Sequence, residues 1–364
     1  MTRVATIIFH PCAAPGSGPL SEAFASSRRR NAERQATGFR AAGSAATILE
    51  GPADDGPFGR RLRDAVNGLE GPVLDGLIIL GSGSIPLARA ADHRAFVATA
   101  AGPAGHALAN NRFSADVVAV GGAASLADLA DLGDLAADNG LPRWLAETAG
   151  FDVADVRRRW RLQVDLDSPL DVLLVGRLEA AVDRSTSDAR STSDVPTAAV
   201  RAALAAVHAA SRDSGRELVV AGRLSAAGLA WLERSTASRT RALVEERGFR
   251  TRRDGQRPAR STLGLLLDRD GPAALGTLVA ALGDAAVIDS RVLLAHRFGA
   301  DERGWPAAED RYASDLLLPD RIDDPWLKAL TQAALDAPIP VVLGGHSLVG
   351  PGLRLALGAS RTWT

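Results

Sequence analysis

Short apolar runs recur along the chain with longer amphipathic segments between them, and this alternation restricts the fold more than any other feature. Runs that are apolar on both faces are typical of strands buried on both sides of a sheet. Their alternation with helices predicts an α/β protein built on parallel sheets covered by helices. The runs are Val4–Phe9, Ala45–Leu49, Leu77–Leu80, Val117–Val120 and Leu162–Leu166 in the first half, and Leu218–Ala221, Leu263–Leu267, Ala285–Ile288 and Pro340–Leu343 in the second.

A repeated hexapeptide of small polar residues, RSTSDA followed by RSTSDV from Arg184, interrupts this pattern. It has no apolar face to bury, which is typical of a linker or surface loop. The chain has 364 residues, and at roughly 150 residues per domain that length favours two domains. We therefore predict a first domain over residues 1–183, a linker over 184–198 and a second, Rossmann-like α/β domain over 199–364.

The charge balance limits the classes of partner. The 42 basic and 43 acidic side chains nearly cancel, so no net field favours nucleic acid or an anionic membrane. No apolar stretch approaches the ~20 residues that cross a bilayer, and the N-terminal MTRVATIIFHP is typical of a first strand rather than a signal peptide. Cys12 is the only cysteine, which excludes an intramolecular disulfide. These features predict a cytoplasmic protein whose partners are small molecules.

Small or polar residues follow strands of the first half, at the carboxyl edge where α/β sheets bind ligands. The run Leu77–Leu80 leads into GSGS at residues 81–84, a turn that lets backbone amides approach a phosphate or sugar. The polar cluster NNRFSAD occupies residues 110–116. Asp165 and Asp167, in the segment DLDSPLD, share one face of an extended segment and are able to hold a divalent cation.

The order of a strand, LGSGSIPL, a polar cluster, a further strand and DLDSPLD resembles that of small nucleotidyltransferases. These belong to the nucleotide-diphospho-sugar transferase (GT-A) superfamily, and the likeness is to its phospholactate and molybdenum-cofactor guanylyltransferases. The resemblance covers roughly residues 1–180, and DLDSPLD is its most specific part. It implies a GT-A-like, mostly parallel sheet. It also implies magnesium-dependent transfer of a nucleoside monophosphate from a nucleoside triphosphate to a small phosphorylated or carboxylated acceptor.

The resemblance further implies a role for individual residues. The triphosphate lies over the turn, and the acceptor attacks its α-phosphorus in line while an arginine neutralises phosphate charge. The implied nucleotide-binding residues are Gly81, Ser82, Gly83, Ser84 and Asn111, the implied catalytic residues are Arg112 and Asp116, and the implied magnesium ligands are Asp165 and Asp167.

Two departures from the family pattern leave an alternative function open. The Gly-rich nucleotide loop expected after the first strand is replaced by HPCAAPGSG, and Gly83 or Ser84 stands where a metal-binding aspartate is expected. Loss of that carboxylate removes charge stabilisation that phosphoryl transfer requires. A non-catalytic nucleotide- or sugar-binding protein is therefore the alternative.

Purely structural interpretations also fit the same segments. DLDSPLD is compatible with a helix that begins at Pro169 and uses the preceding Asp or Ser as its N-cap. The GSGS turn is compatible with a tight connection, and residues 110–116 with a solvated loop.

The second half contains the segment GGHSLVG at residues 344–350, which is similar to the nucleophile elbow of α/β-hydrolases. Val349 replaces the second glycine of that motif, and no Asp or His follows it in the sequence. A serine hydrolase that uses Ser347 is therefore a third hypothesis, beside an anion-binding turn and a structural turn.

Three arginines near other strand ends, Arg223, Arg291 and Arg311, are either a clamp for phosphate or carboxylate or members of surface ion pairs.

Overall fold

The computed structural model describes residues 3–51, 56–69, 74–123, 130–182, 195–246 and 258–358. The chain forms two compact units, each an α/β assembly. The first comprises Met1–Gly16 and Ala25–Leu166, and the second comprises Ser17–Phe24 and Asp167–Thr364. The hexapeptide repeat covers residues 184–195, and all of it except Val195 lies outside the described residues, so its prediction as a linker is not described there. A helix over Ala198–Ser211 begins at the last residue of the predicted linker.

The described strands of the first unit form a mixed six-stranded sheet of order β2-β1-β3-β5-β4-β6. Strand β5 is antiparallel to both of its neighbours, β3 and β4, while the other pairs are parallel. The sheet is therefore mixed, with three parallel and two antiparallel pairs, where the sequence predicts a mostly parallel sheet. The strands are β1 (Val4–Pro11), β2 (Ala45–Gly51), β3 (Gly76–Gly81), β4 (His106–Ala109), β5 (Val117–Gly121) and β6 (Asp152–Asp155).

The apolar runs of β1, β3 and β5 are buried on both faces of this sheet, whereas the edge strand β2 is only partly buried. Along β3, Leu77 and Ile79 pack into one apolar cluster, whereas Ile78 and Leu80 pack into a cluster on the opposite face. This alternation follows from the two-residue period of a strand. The helices are α1 (Pro19–Ala41), α2 (Phe58–Asn67), α3 (Ala90–Ala100) and α4 (Leu141–Glu147), and α1 begins within the second unit.

The described strands of the second unit form a parallel sheet of order β10-β9-β7-β8. The strands are β7 (Glu217–Gly222), β8 (Arg239–Val244), β9 (Ala285–Asp289) and β10 (Val341–Gly344). The strand order reverses between β7 and β9. The helices are α5 (Pro169–Val182), α6 (Ala198–Ser211), α7 (Ala226–Ser235), α8 (Thr262–Asp270), α9 (Leu275–Ala280), α10 (Ser290–Phe298), α11 (Ala308–Asp315), α12 (Pro325–Leu335), α13 (His346–Val349) and α14 (Leu353–Leu357).

Two of the predicted strands are wrong. Leu263–Leu267 lies within helix α8, which begins after the N-cap Ser261. In the run Leu162–Leu166, the chain makes a 3-10 turn over Trp160–Gln163 and then pairs through the single residue Asp165. No helix within the described ranges is long and apolar enough to cross a membrane.

Candidate functional site

The turn that follows β3 lies at the carboxyl edge of the first sheet, where the sequence predicts a nucleotide-binding turn. Ser82 is fully buried. Its amide donates to the Phe9 carbonyl oxygen at 2.8 Å, and its hydroxyl lies 3.0 Å from Nδ1 of His10, the penultimate residue of β1. The turn is thus attached to the neighbouring strand by main-chain and side-chain bonds.

The backbone of this turn is strained at Ile85. Its φ is 45°, in the left-handed region, although Ile85 is a β-branched residue. Its side chain is fully buried. Such conformations persist only where the surrounding structure imposes them, and they cluster at functional sites.

Asn31 on helix α1 fixes the carbonyl groups of the turn. Its Nδ2 atom donates to the carbonyl oxygens of Ser82 at 2.9 Å and Ser84 at 3.0 Å. Its Oδ1 atom accepts from Arg34 at 2.8 Å and Gln35 at 3.3 Å. Asn31 is buried, so both ends of its amide are satisfied inside the protein.

The neighbouring side chains of α1 extend this contact along the turn. Gln35 donates to the Ile85 carbonyl oxygen at 3.0 Å, and Arg34 donates to the Pro86 carbonyl oxygen at 2.6 Å. The Oε1 atom of Gln35 accepts from Nε2 of His93 at 2.8 Å. The resulting shape of the turn is imposed by side chains of one helix face rather than by the turn sequence alone.

An acidic and a basic side chain lie against the turn at Gly83. A Cβ atom at this position would stand 3.0 Å from Oδ1 of Asp165, 3.3 Å from Nε of Arg28 and 2.7 Å from the Leu166 carbonyl oxygen. The Leu166 amide donates to the Gly83 carbonyl oxygen at 3.1 Å. Glycine at position 83 therefore permits the approach of Asp165, one of the two predicted metal ligands.

Ser84 is one of the two positions at which the resemblance implies a metal-binding aspartate, and its side chain is turned toward the protein. Its hydroxyl donates to the Asp116 carbonyl oxygen at 2.9 Å and accepts from the Gly81 amide at 3.1 Å. Ser84 is buried. The structure thus gives this hydroxyl a role in closing the turn.

The predicted residues between 110 and 116 lie in the loop that joins β4 to β5. Asn110 is fully buried; it donates to an Asp116 carboxylate oxygen at 2.8 Å and accepts from the Asp116 amide at 2.9 Å. Asn111 accepts from the Phe113 amide at 3.0 Å, and Arg112 is exposed. Asp116 is held by Asn110, a residue of the predicted polar cluster for which the sequence predicts no role of its own.

The second predicted metal ligand, Asp167, is exposed and precedes helix α5. Its amide donates to Oδ2 of Asp171 at 3.0 Å, and the Ser168 hydroxyl donates to the same atom at 3.0 Å. The helix begins at Pro169, as the structural interpretation of DLDSPLD predicts. Among the described residues no three His, Cys, Asp or Glu side chains are grouped as a metal site would require.

The strand ends of the second unit carry buried ion pairs. Arg223, after β7, makes two contacts of 2.6 and 3.0 Å with Asp289 at the end of β9. Arg291 makes two contacts of 2.6 Å with Asp315. The Arg223 guanidinium lowers the pKa of Asp289 despite its burial. These two arginines of the predicted clamp thus bind carboxylates of the chain itself, and within buried pairs rather than surface ones.

The third arginine, Arg311, lies 3.6 Å from Glu302 and over the ring of Trp305. Burial and the nearby charge of Arg291 lower its pKa. Ser347 lies in the short helix α13 and is buried.

The signal that sequence reasoning missed is on α1. Asn31, Arg34 and Gln35 are spaced so that they share one face of α1, the helix that follows the first strand.

Comparisons with known proteins found no match to any family model, curated protein or solved structure.

Proposed function

We propose that the chain binds a nucleoside triphosphate at the turn after β3 and transfers its nucleoside monophosphate to a small phosphorylated or carboxylated acceptor. The observation that carries this proposal is the approach of the Asp165 carboxylate to Gly83 at the carboxyl edge of the sheet. Ligands of open α/β sheets bind at such an edge.

The turn is suited to binding because its shape is fixed before a ligand arrives. The four carbonyl contacts made by Asn31, Gln35 and Arg34 hold it in place. A preformed site avoids the entropic cost of ordering a loop on binding. The strained Ile85 is consistent with a conformation kept for function.

The residues beside the turn are compatible with magnesium. This ion is commonly held by one or two carboxylates together with the phosphates of the substrate, and Asp165 supplies one such carboxylate beside the turn. When bound, magnesium would neutralise charge that develops on the phosphates during transfer. The chain's own part is to orient the triphosphate over residues 81–84 so that the acceptor attacks in line.

One observation favours a second candidate, nucleotide or sugar binding without transfer. The hydroxyl of Ser84 carries no charge and is already hydrogen-bonded to Asp116 and Gly81, so position 84 does not supply the carboxylate that a metal ligand there would provide. A single carboxylate at the turn suits binding better than catalysis.

The test is a thermal-shift screen of the full chain with ATP, GTP, CTP and UTP, each with and without magnesium. A ligand bound only by the folded protein raises the melting temperature. We expect one triphosphate to stabilise the chain in a magnesium-dependent way, and pyrophosphate release with phosphorylated or carboxylated acceptors then tests transfer. Stabilisation without magnesium dependence supports the second candidate, and no response to any triphosphate contradicts both.

A further inference from the structure

We propose that Arg28 of α1 is the residue that binds the ligand's phosphate groups at the turn, the role that the family resemblance implies for Arg112. This inference rests on the proposed nucleotide-binding function. Arg112 lies exposed in the β4–β5 loop. Arg28 instead lies against the turn, with Nε 3.3 Å from where a Cβ of Gly83 would stand.

The position of Arg28 on α1 supports this assignment. Arg28, Asn31 and Gln35 are spaced by three and four residues, so they lie on the same helix face. Asn31 and Gln35 hold the carbonyl oxygens of the turn. The face that fixes the turn therefore also carries the cation beside it.

The electrostatic surroundings place positive charge at the ends of β1 and β3. Arg28 and Arg29 lower the pKa of His10, after the larger effect of burial, while Glu33 acts in the opposite sense. Arg29 also forms ion pairs with Glu33 and Glu50. A guanidinium suits phosphate because its planar donors match the oxygens of the anion.

The test is calorimetric titration of the full chain with inorganic triphosphate in the absence of magnesium. Arg28→Gln removes the charge, and we expect the Kd to rise about tenfold or more. Arg30→Gln is the matched control, since Arg30 is exposed two positions further along the same helix; its Kd should stay within about twofold of the wild type. Equal binding by Arg28→Gln and the wild type overturns the phosphate-binding role of Arg28. It does not overturn the proposed function, which is argued from Asp165.

A second measurement keeps the test decisive if Arg28→Gln does not fold. A triphosphate bound beside Arg28 adds negative charge near His10, so the pKa of His10 in the wild type, followed by NMR, should rise on saturation. A triphosphate that binds without moving the His10 pKa contradicts the assignment. Binding of inorganic triphosphate but no nucleotide supports Arg28 and overturns the proposed function, and binding of neither overturns both.

Discussion

At the scale of single residues, Asn31 donates two of the four hydrogen bonds that side chains of α1 make to carbonyl oxygens of the turn. Replacing Asn31 by Asp keeps the shape of the side chain but removes the two N–H donors that bind the carbonyl oxygens of Ser82 and Ser84. Leaving buried carbonyl groups unpaired beside a new charge should lower the free energy of unfolding by about 2–3 kcal/mol. Urea denaturation measures this change.

The matched control for Asn31→Asp is Asn111→Asp. The Asn111 side chain contributes an acceptor to the Phe113 amide, and a carboxylate accepts equally well. We expect a change within about 0.5 kcal/mol. Equal effects of the two substitutions would contradict the role given to Asn31.

Asp171 is a buried carboxyl whose Oδ1 atom has no hydrogen-bond partner in the described structure. Burial, with the charges of Asp167 and Asp315, raises its pKa well above the ordinary value. The folded chain therefore holds this proton at pH values where the unfolded chain has lost it. Stability falls as the pH rises from the ordinary aspartate pKa through the folded one.

Replacing Asp171 by Asn removes this pH-dependent cost. Asn cannot ionise and still offers one oxygen to the Asp167 amide and the Ser168 hydroxyl. We expect a gain of about 1–3 kcal/mol at about pH 8 that shrinks toward about pH 4, measured by urea denaturation across that range. Asp320→Asn, at an exposed position of the same unit, should show no such trend. A loss of stability at about pH 8 would mean that the ionised carboxylate is needed.

At the scale of elements, α8 is a segment for which the sequence predicts a strand and the structure shows a helix. A strand over Leu263–Leu267 places Leu263, Leu265 and Leu267 on one face, because side chains alternate. In the helix, Leu263 and Leu267 are buried while Leu265 is 56% exposed. A short apolar run is compatible with the two-residue period of a strand and with the 3.6-residue period of a helix. The N-cap hydrogen bond that Ser261 accepts from the Gly264 amide favours the helix.

This difference gives a direct test of α8. Leu265→Glu should change the free energy of unfolding by less than about 0.5 kcal/mol because the side chain faces solvent. Leu263→Ala should cost about 2–5 kcal/mol because it opens a cavity in the core. A large loss from Leu265→Glu would support the strand that the sequence predicts.

The strands that sequence reasoning predicts correctly are those with continuous apolar runs, and all of them except the edge strand β2 are largely buried. It missed β4, β6 and β8, which are short or carry charged residues, such as Arg239 and Arg241 on the edge strand β8. It located the turn at residues 81–84 because glycine and serine after a strand are a local signal. It missed Asn31 and Arg28 because their contacts to the turn cross about fifty residues of sequence.

At the scale of the whole molecule, the second unit contains residues from both sides of the predicted linker. Leu20 and Ser21, in the first turn of α1, donate amide hydrogen bonds of 2.9 Å to Glu309. Helix α5 also belongs to this unit. A chain cut between residues 184 and 194 would therefore leave parts of one compact unit on both fragments.

We expect limited proteolysis to cut first within residues 184–194, because segments of small polar residues are preferred sites of proteolytic cleavage. The two fragments should remain associated through native size-exclusion chromatography and separate in urea. Fragments that separate under native conditions would contradict the shared unit.

The central claim, a magnesium-dependent nucleotide site at Gly83 and Asp165, is tested most directly by calorimetric titration of Asp165→Asn. The titrant is the triphosphate that most stabilises the wild type, with and without magnesium, and Asp152→Asn, at an exposed position of the first unit, is the control. We expect Asp165→Asn to keep its fold and lose the magnesium-dependent part of the affinity, about tenfold or more. Wild-type affinity and magnesium dependence in Asp165→Asn would contradict the claim.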